Sequence, residues 1–260
     1  MSKERAIDNK NEEIMNIFFE KTLYPAFINF GLMEDAELIR DKNRQVNGMD
    51  AIFKVNGDNI VIDNKTRWSM TNRYCEKIAV ELRTNNQAGY RFTGWGINPH
   101  ETNYWMFVHI LRADGGNGKG KKCNVTPDNI EKIIIEFIRP DEFHKWLDIK
   151  GVTPEKLEQM AIDAETAFAE NTEGLDDIPV SMRQFTYENF RFFNRKTWQH
   201  DYDAYISVSA DKGMDEDPTN MVINEFVVDN FPSSRVFIWE KDTGLREVPN
   251  KRHASKPLHI

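Results

Sequence analysis

The chain has 260 residues, of which 40% are hydrophobic and 29% charged, and its formal net charge is −8. This composition supports a packed core, and the acidic balance argues against a protein that coats nucleic acid through bulk positive charge. No apolar run approaches the roughly 20 residues of a membrane helix, and the charged N-terminus does not resemble a signal peptide. The two cysteines, Cys75 and Cys123, form no CxxC motif. We therefore expect a cytoplasmic protein without membrane association.

The N-terminal half contains one predicted helix followed by predicted strands. Residues 11–23 carry apolar side chains at helical spacing. Asn56-Gly57 predicts a tight turn between strands at 50–55 and 59–64. Two more apolar runs are expected to be strands, and a third, 130–138, fits either a strand or a helix. The two expected strands are 77–82 and 104–111.

The C-terminal half begins with two predicted helices. One starts at Pro140, and the other follows an N-cap at Thr153 and runs to about residue 170. The acidic stretch 169–177 is the best candidate for a linker. Three strands are expected beyond it, at 204–209, 221–228 and 235–240. Together these elements predict an α/β or α+β arrangement around a mixed sheet.

The predicted hairpin brings charged residues to one end. A two-residue turn places Asp50 opposite Asp63, whereas a four-residue loop places Asp50 opposite Lys65. In either register all three side chains share one face, because strand side chains alternate with a period of two. The opposite face carries Ala51, Phe53, Val55, Ile60 and Ile62, and we expect it to pack on the core.

Two carboxylates in directly opposed strand positions lie about 4.5–5.5 Å apart at Cβ and repel each other. A divalent cation between them would offset that repulsion, and Mg²⁺ prefers oxygen ligands. Lys65, on the same face, could stabilise developing negative charge. Such a set suits hydrolysis of a phosphodiester. The alternative is that Asp50 and Asp63 are ordinary strand-end charges and Lys65 a solvated edge residue.

At these positions the sequence resembles the PD-(D/E)XK nuclease superfamily. The resemblance rests on Gly48-Met49-Asp50, the hairpin, and Asp63-Asn64-Lys65, and it covers residues 10–150. Val80-Glu81-Leu82 and the Gly94-Trp95 segment before the apolar strand also fit. Two positions depart from the pattern, since Met49 replaces the usual proline and Asn64 the usual apolar residue.

The resemblance implies a restriction-endonuclease-like core with a mixed central sheet flanked by helices over residues 1–150, and leaves 151–260 as a C-terminal α+β extension. It implies that Asp50 and Asp63 bind Mg²⁺, or Mn²⁺ as a substitute, with the backbone carbonyl of Asn64. Lys65 corresponds to the lysine of the motif. A glutamate of the first helix, Glu13 or alternatively Glu20, would complete the catalytic set, and Glu81 is a further accessory candidate.

Two basic segments are candidates for contacts with DNA. The first, Gly115–Lys122, contains Lys119, Lys121 and Lys122 and nearly matches a phosphate-binding P-loop. It lacks the Ser or Thr of that motif and the helix that phosphate binding needs, so phosphate contacts of a basic loop are the preferred interpretation. The second segment, 183–198, places Arg191 and Arg195 among aromatic residues. Its alternative is a packed core with a solvated face.

These patterns predict a Mg²⁺-dependent nuclease that cleaves DNA. A homodimer would be a natural arrangement for cutting both strands. The alternative is a non-catalytic nucleic-acid-binding or assembly protein that retains the nuclease fold, because a fold does not determine a function.

Overall fold

The computed structural model describes residues 3–68, 77–85, 90–113, 126–190, 202–209 and 217–248. Within these ranges, helices pack on a mixed seven-stranded sheet and a second, five-stranded sheet. The α/β class with a mixed sheet is therefore as the sequence predicts. No helix in these ranges is both long and apolar enough to cross a bilayer.

The N-terminal helix is longer than the predicted 11–23. Helix α1 (Lys3–Phe18) continues through a π-helical turn (Phe19–Leu23) into α2 (Tyr24–Phe30). Gly31 ends the helix in a left-handed conformation, which a glycine adopts without steric cost. The other helices are α3 (Lys42–Val46), α4 (Pro140–Ile149), α5 (Pro154–Thr172) and α6 (Glu225–Val228), and short 3₁₀ segments are Pro127–Asn129, Val180–Met182 and Glu188–Phe190.

Twelve strands lie in the described part of the chain. In chain order they are β1 (Asp35–Leu38), β2 (Ala51–Val55), β3 (Asp58–Trp68), β4 (Lys77–Asn85), β5 (Arg91–Thr93), β6 (Tyr104–Ala113), β7 (Ile130–Ile138), β8 (Gln184–Phe185), β9 (Ala204–Val208), β10 (Thr219–Asn224), β11 (Arg235–Glu240) and β12 (Gly244–Val248).

The seven-stranded sheet has the order β1-β2-β3-β6-β7-β11-β12. Its pairs are antiparallel except β3 and β6, which run parallel. The five-stranded sheet has the order β5-β4-β10-β9-β8 and is antiparallel throughout. The crossover from β3 to its parallel neighbour β6 passes through β4 and β5, so the second sheet begins within that connection.

Two apolar cores cover the two faces of the seven-stranded sheet. On one face, Phe18 and Phe27 from the N-terminal helices pack with Phe53 of β2 and Phe237 of β11. On the other face, Trp105 and Phe107 of β6 pack with α4, α5 and the second sheet. Buried strands with both faces covered read as nearly continuous apolar runs, and this explains the composition of 104–111 and 130–138.

Strand pairing connects the two segments that the sequence divides at residue 150. β11 and β12 extend the seven-stranded sheet beyond β7, and β10 pairs with β4. Each sheet therefore contains strands from 1–150 and from 151–260.

The structure corrects one predicted strand and resolves one ambiguity. The strand expected at 221–228 ends at Asn224, and residues 225–228 form α6. This turn of helix places Val227 and Val228 in one core cluster, whereas a strand would point them to opposite faces of its sheet. Residues 130–138 form a strand, β7, with neighbours on both sides. Strands β1, β5, β8 and β12 were not predicted.

Candidate active site

The β2–β3 hairpin adopts the register of a two-residue turn. Val55 pairs with Asp58, and Ala51 pairs with Ile62. Asn56 and Gly57 have φ values of 52° and 85°, the left-handed conformations that such a turn requires. Ala51, Phe53 and Ile62 are buried in the core under the N-terminal helices, which confirms the apolar face that the sequence predicts.

Asp50 directly precedes the first residue of β2, at the point where β3 extends past its partner strand. The last paired residues are Ala51 and Ile62, so the N–H of Asn64 extends beyond the end of its neighbour strand. The Asp50 carboxylate replaces the backbone acceptor that a longer neighbour strand would supply. Its Oδ2 accepts the Asn64 N–H at 2.7 Å. In a strand, the carbonyl of a residue lies on the same side as its N–H, so the Asn64 carbonyl is also on the Asp50 side.

Asp63 and Lys65 lie together on the opposite face of β3 from the N-terminal helices. Lys65 Nζ is 2.7 Å from Asp63 Oδ1. Asp63 is only 2% exposed, and its second oxygen, Oδ2, is buried without a hydrogen-bond partner. A buried carboxylate oxygen without a donor is costly, so this oxygen is a place where a cation would be stabilised.

Trp95 fixes the position of the Lys65 ammonium group. Lys65 Nζ lies 4.3 Å from the centre of the Trp95 ring, within the range of a cation–π contact. Trp95 contacts the buried rings of Trp105 and Phe107. The N–H groups of the glycines on either side of it, Gly94 and Gly96, donate to β4 carbonyls at 2.7 and 2.8 Å. The Gly-Trp segment was visible in the sequence, but its contact with Lys65 was not.

The two acids interact electrostatically. Burial, followed by the negative charge of Asp63, raises the pKa of Asp50 to about 7. The Lys65 ammonium and the Asn64 N–H act in the opposite direction. Two carboxylates that resist simultaneous ionisation are typical of sites that hold a proton or a metal ion between them.

Gly48 forms the corner that lets a loop approach the two acids. It has a φ of +73°, and a Cβ at this position would be 2.5 Å from Thr102 Oγ1 and 3.7 Å from Asp63 Oδ2. The Thr102 hydroxyl donates to the Gly48 carbonyl at 2.8 Å. The Gly-Met-Asp sequence therefore has a steric reason for its glycine, although Thr102 was not a predicted site residue.

Tyr24 approaches the same strand from α2. It is buried, and burial raises the pKa of its hydroxyl well above the usual range, with the charge of Asp50 adding to this effect. A contact with the Asn64 side chain opposes the shift. Tyr24 was not a predicted site residue, because nothing in an apolar helix indicates which strand an aromatic residue will face.

The structure pairs the predicted helix glutamates with Arg40. Glu13 and Glu20 both approach Arg40, at 3.6 and 2.8 Å, on the exposed side of the helix. The neighbouring Glu12 lines a cavity with Asp50, while it also pairs with Lys42 at 3.0 Å. The helix packs Ile14, Met15 and Phe18 against the core. Glu13 therefore lies on the exposed side of the helix.

The remaining candidates fall in two groups. Glu81 lies on β4, where its backbone carbonyl accepts the N–H of Gly96. The candidates for DNA contact lie outside the described residues. They are Lys119, Lys121, Lys122, Arg191 and Arg195.

The residues that could hold a metal ion are Asp50, Asp63 and the carbonyl of Asn64. The described ranges contain no group of three or more His, Cys, Asp or Glu side chains that could hold one, so a metal here would depend on two side chains and the backbone. The unpartnered Asp63 Oδ2 and the raised pKa of Asp50 both fit a cation at this position.

Comparison of the chain with protein-family models, curated proteins and solved structures gives no match.

Proposed function

We propose that this protein is a metal-dependent nuclease that hydrolyses DNA phosphodiester bonds on a restriction-endonuclease-like core. The observation that carries the proposal is the convergence of Asp50, Asp63 and Lys65 at the open end of the β2–β3 hairpin. A mixed sheet in which this hairpin precedes a parallel neighbour, β6, supports the same assignment.

Asp50, Asp63 and the Asn64 carbonyl would hold Mg²⁺, with Mn²⁺ as a substitute. When bound, the ion supplies a water of lowered pKa and neutralises negative charge on the phosphate. The two carboxylates contribute the oxygen ligands that a hard cation prefers. The Asn64 N–H, which donates to Asp50 at 2.7 Å, holds that carboxylate in a fixed orientation.

Lys65 would stabilise the negative charge that develops on the phosphate during hydrolysis. Its ammonium is held between Asp63 and the Trp95 ring, so it is oriented before a substrate arrives. A fixed positive charge in a largely buried site is worth more than one in water, because little reorganisation is needed when the reaction occurs.

The test is cleavage of plasmid DNA in Mg²⁺ or Mn²⁺. We expect Asp63→Asn and Lys65→Met each to lower the rate by at least about a hundredfold, the usual scale for losing one electrostatic group. Asp58→Asn and Lys54→Met are matched controls, since both residues lie exposed on the same hairpin, and they should retain the parent rate. Equal activity in all four variants would remove the basis of the proposal.

The second candidate is a non-catalytic nucleic-acid-binding or assembly protein with the same fold. The observation that favours it is that each acid already has a partner, Lys65 for Asp63 and the Asn64 N–H for Asp50. This candidate predicts no cleavage by the parent and no rise in melting temperature when Mg²⁺ replaces EDTA. The nuclease predicts both cleavage and a Mg²⁺-dependent rise that Asp63→Asn abolishes.

A further inference from the structure

A cavity of about 310 Å³ lies between α1 and β3, next to Asp50. Its apolar wall includes Met15, Phe19 and Leu38. Its polar lining consists mainly of side chains with carboxamide, carboxyl or hydroxyl groups, namely Asn11, Glu12, Asn16, Gln45, Asp50, Asn64 and Thr66. The volume is at the lower end of the roughly 300–1,000 Å³ of small-molecule sites, and it far exceeds the space that one water molecule needs.

Three carboxamides in this lining each have one buried atom without a hydrogen-bond partner. These atoms are Asn11 Nδ2, Gln45 Oε1 and Asn64 Oδ1, and Asn11 is only 6% exposed. Buried polar side-chain atoms are nearly always paired. Three unpaired atoms around one cavity therefore provide hydrogen-bond positions that a polar ligand could use.

The orientation of Gln45 shows which kind of atom it offers. Its Nε2 donates to the Ile39 carbonyl at 2.8 Å, so Oε1 is the atom left to accept a hydrogen bond. Asn64 offers a second acceptor and Asn11 a donor. Two acceptors and one donor complement a ligand edge with two donors and one acceptor.

Carboxamides are among the side chains that pair with the edges of nucleobases, because each carries both a donor and an acceptor. Among the bases, guanine has a Watson–Crick edge with two donors and one acceptor. An apolar wall that includes an aromatic ring suits the flat faces of a base. We propose that this cavity binds one unstacked nucleobase, preferentially guanine, of the nucleic acid bound at Asp50 and Asp63. This inference rests on the nucleic-acid substrate of the proposed function, and it adds a specificity site to it.

Placing a base in this cavity would anchor the strand beside Asp50, the acid that lines it. Extracting a base from a duplex costs a few kcal/mol, and the cost is smallest for single-stranded or mismatched positions. A base cavity adjoining Asp50 therefore favours substrates in which one nucleotide is already unpaired.

The first test needs only the parent protein. Titration calorimetry in EDTA compares deoxyguanosine 5′-monophosphate and thymidine 5′-monophosphate with 2-deoxyribose 5-phosphate, which lacks a base. We expect the guanine nucleotide to bind most tightly and the abasic sugar phosphate to give no saturable heat. The inference is overturned if the three ligands bind equally, if none binds, or if binding needs Mg²⁺ and ignores the base.

The second test removes one acceptor. Gln45→Met preserves the length of the side chain and removes the amide, and we expect it to weaken binding of the guanine nucleotide by about 5- to 100-fold, the usual effect of one buried hydrogen bond. Gln159→Met makes the same change on the exposed face of α5, where Gln159 bonds to Asp163, and should bind like the parent. An equal loss in both variants contradicts the inference. If Gln45→Met does not fold, the comparison of ligands with the parent decides.

Calorimetry and cleavage separate this inference from the proposed function. Base-dependent binding without any plasmid cleavage would support the cavity as a base site and contradict the proposed nuclease activity. The opposite result is cleavage that needs Asp63 and Lys65 but no base-dependent binding. It would support the nuclease and contradict the cavity as a base site.

Discussion

Asp50 has three roles that follow from its position at the end of a strand. Its carboxylate accepts the Asn64 N–H that has no neighbour strand, it lies beside the charge of Asp63, and it lines the cavity under α1. The hydrogen bond from the Asn64 N–H favours the ionised form of Asp50, whereas burial and the negative charge of Asp63 disfavour it. Because the opposing effects are larger, Asp50 keeps a proton to higher pH than an ordinary aspartate.

This raised pKa predicts a pH-dependent stability with a defined sign. The pKa of Asp50 rises from 3.8 to about 7 on folding, so between these values the folded protein binds a proton that the unfolded chain does not. The contribution of Asp50 to the free energy of unfolding should therefore decrease as pH rises from about 4 to about 7, by at most about 1.4 kcal/mol per pH unit. Urea denaturation of the parent and of Asp50→Asn across this range measures the difference.

Asparagine retains an oxygen for the Asn64 N–H and removes the charge, so Asp50→Asn should gain stability relative to the parent as pH rises. Asp58→Asn makes the same substitution at an exposed residue of the turn and should follow the parent. If the curves of the parent and Asp50→Asn run parallel from about pH 4 to 7, Asp50 does not titrate as its environment indicates.

At the scale of elements, the corner before β2 depends on Gly48. Its positive φ and the contact between its backbone and Thr102 bring the loop before β6 close to Asp63. Asn103 adds to this attachment, because its N–H donates to the Val61 carbonyl at 3.0 Å and its side chain accepts the Val61 N–H at 2.7 Å. One loop thus joins the start of the hairpin to β3.

Gly48→Ala should destabilise the protein more than Gly57→Ala. Both glycines have positive φ, but a Cβ at Gly57 meets nothing within 4 Å, whereas at Gly48 it would be 2.5 Å from Thr102 Oγ1. Both variants therefore pay a similar cost for a non-glycine residue at positive φ. The difference between their unfolding free energies, about 1–3 kcal/mol, measures the cost of the overlap with Thr102. Chemical denaturation of the two variants measures it.

Removing the overlapping atom provides the control for this difference. In a Thr102→Ala background, Gly48→Ala should cost less than it does in the parent, because Oγ1 is absent. An unchanged cost in that background would show that the overlap is not what makes Gly48 necessary.

At the scale of the whole molecule, the two halves of the chain share both sheets. Without residues 151–260, β7 would lose its neighbour β11, and β4 would lose β10. Two central strands would become exposed edges, and the core under the helices would lose Phe237 and Trp239. The C-terminal half therefore completes the sheet on which the site is built.

A fragment of residues 1–150 should not fold alone. We expect it to show no cooperative thermal transition and little near-ultraviolet circular dichroism, since its sheets are incomplete. Co-expression with 151–260 should restore both signals. A sharp transition in the isolated fragment would indicate that 1–150 is an independent domain, despite the strand pairing.

Local patterns predicted the elements best where a single physical signal dominated. Asn56-Gly57 determined the turn because few other residue pairs tolerate two positive φ values. Thr153 and Pro154 correctly marked the start of α5, where the Thr153 hydroxyl accepts the Lys156 N–H at 3.3 Å. At 221–228 the apolar pattern alone could not show that the strand ends at Asn224, because packing against the core decides where helix α6 replaces it.

The alternation of strand side chains was enough to place Asp63 and Lys65 on one face, and the two-residue turn set the register that brings Asp50 to the same end of the hairpin. Packing between elements set which face of α1 turns inwards, and it thereby pairs Glu13 with Arg40 and places Asn11 in the cavity that Asp50 lines. It also decided that Trp95 holds Lys65 and that Gln45 and Asn64 line one cavity. These contacts join residues far apart in the chain, and their geometry is set by how helices and sheets pack, which no local pattern contains.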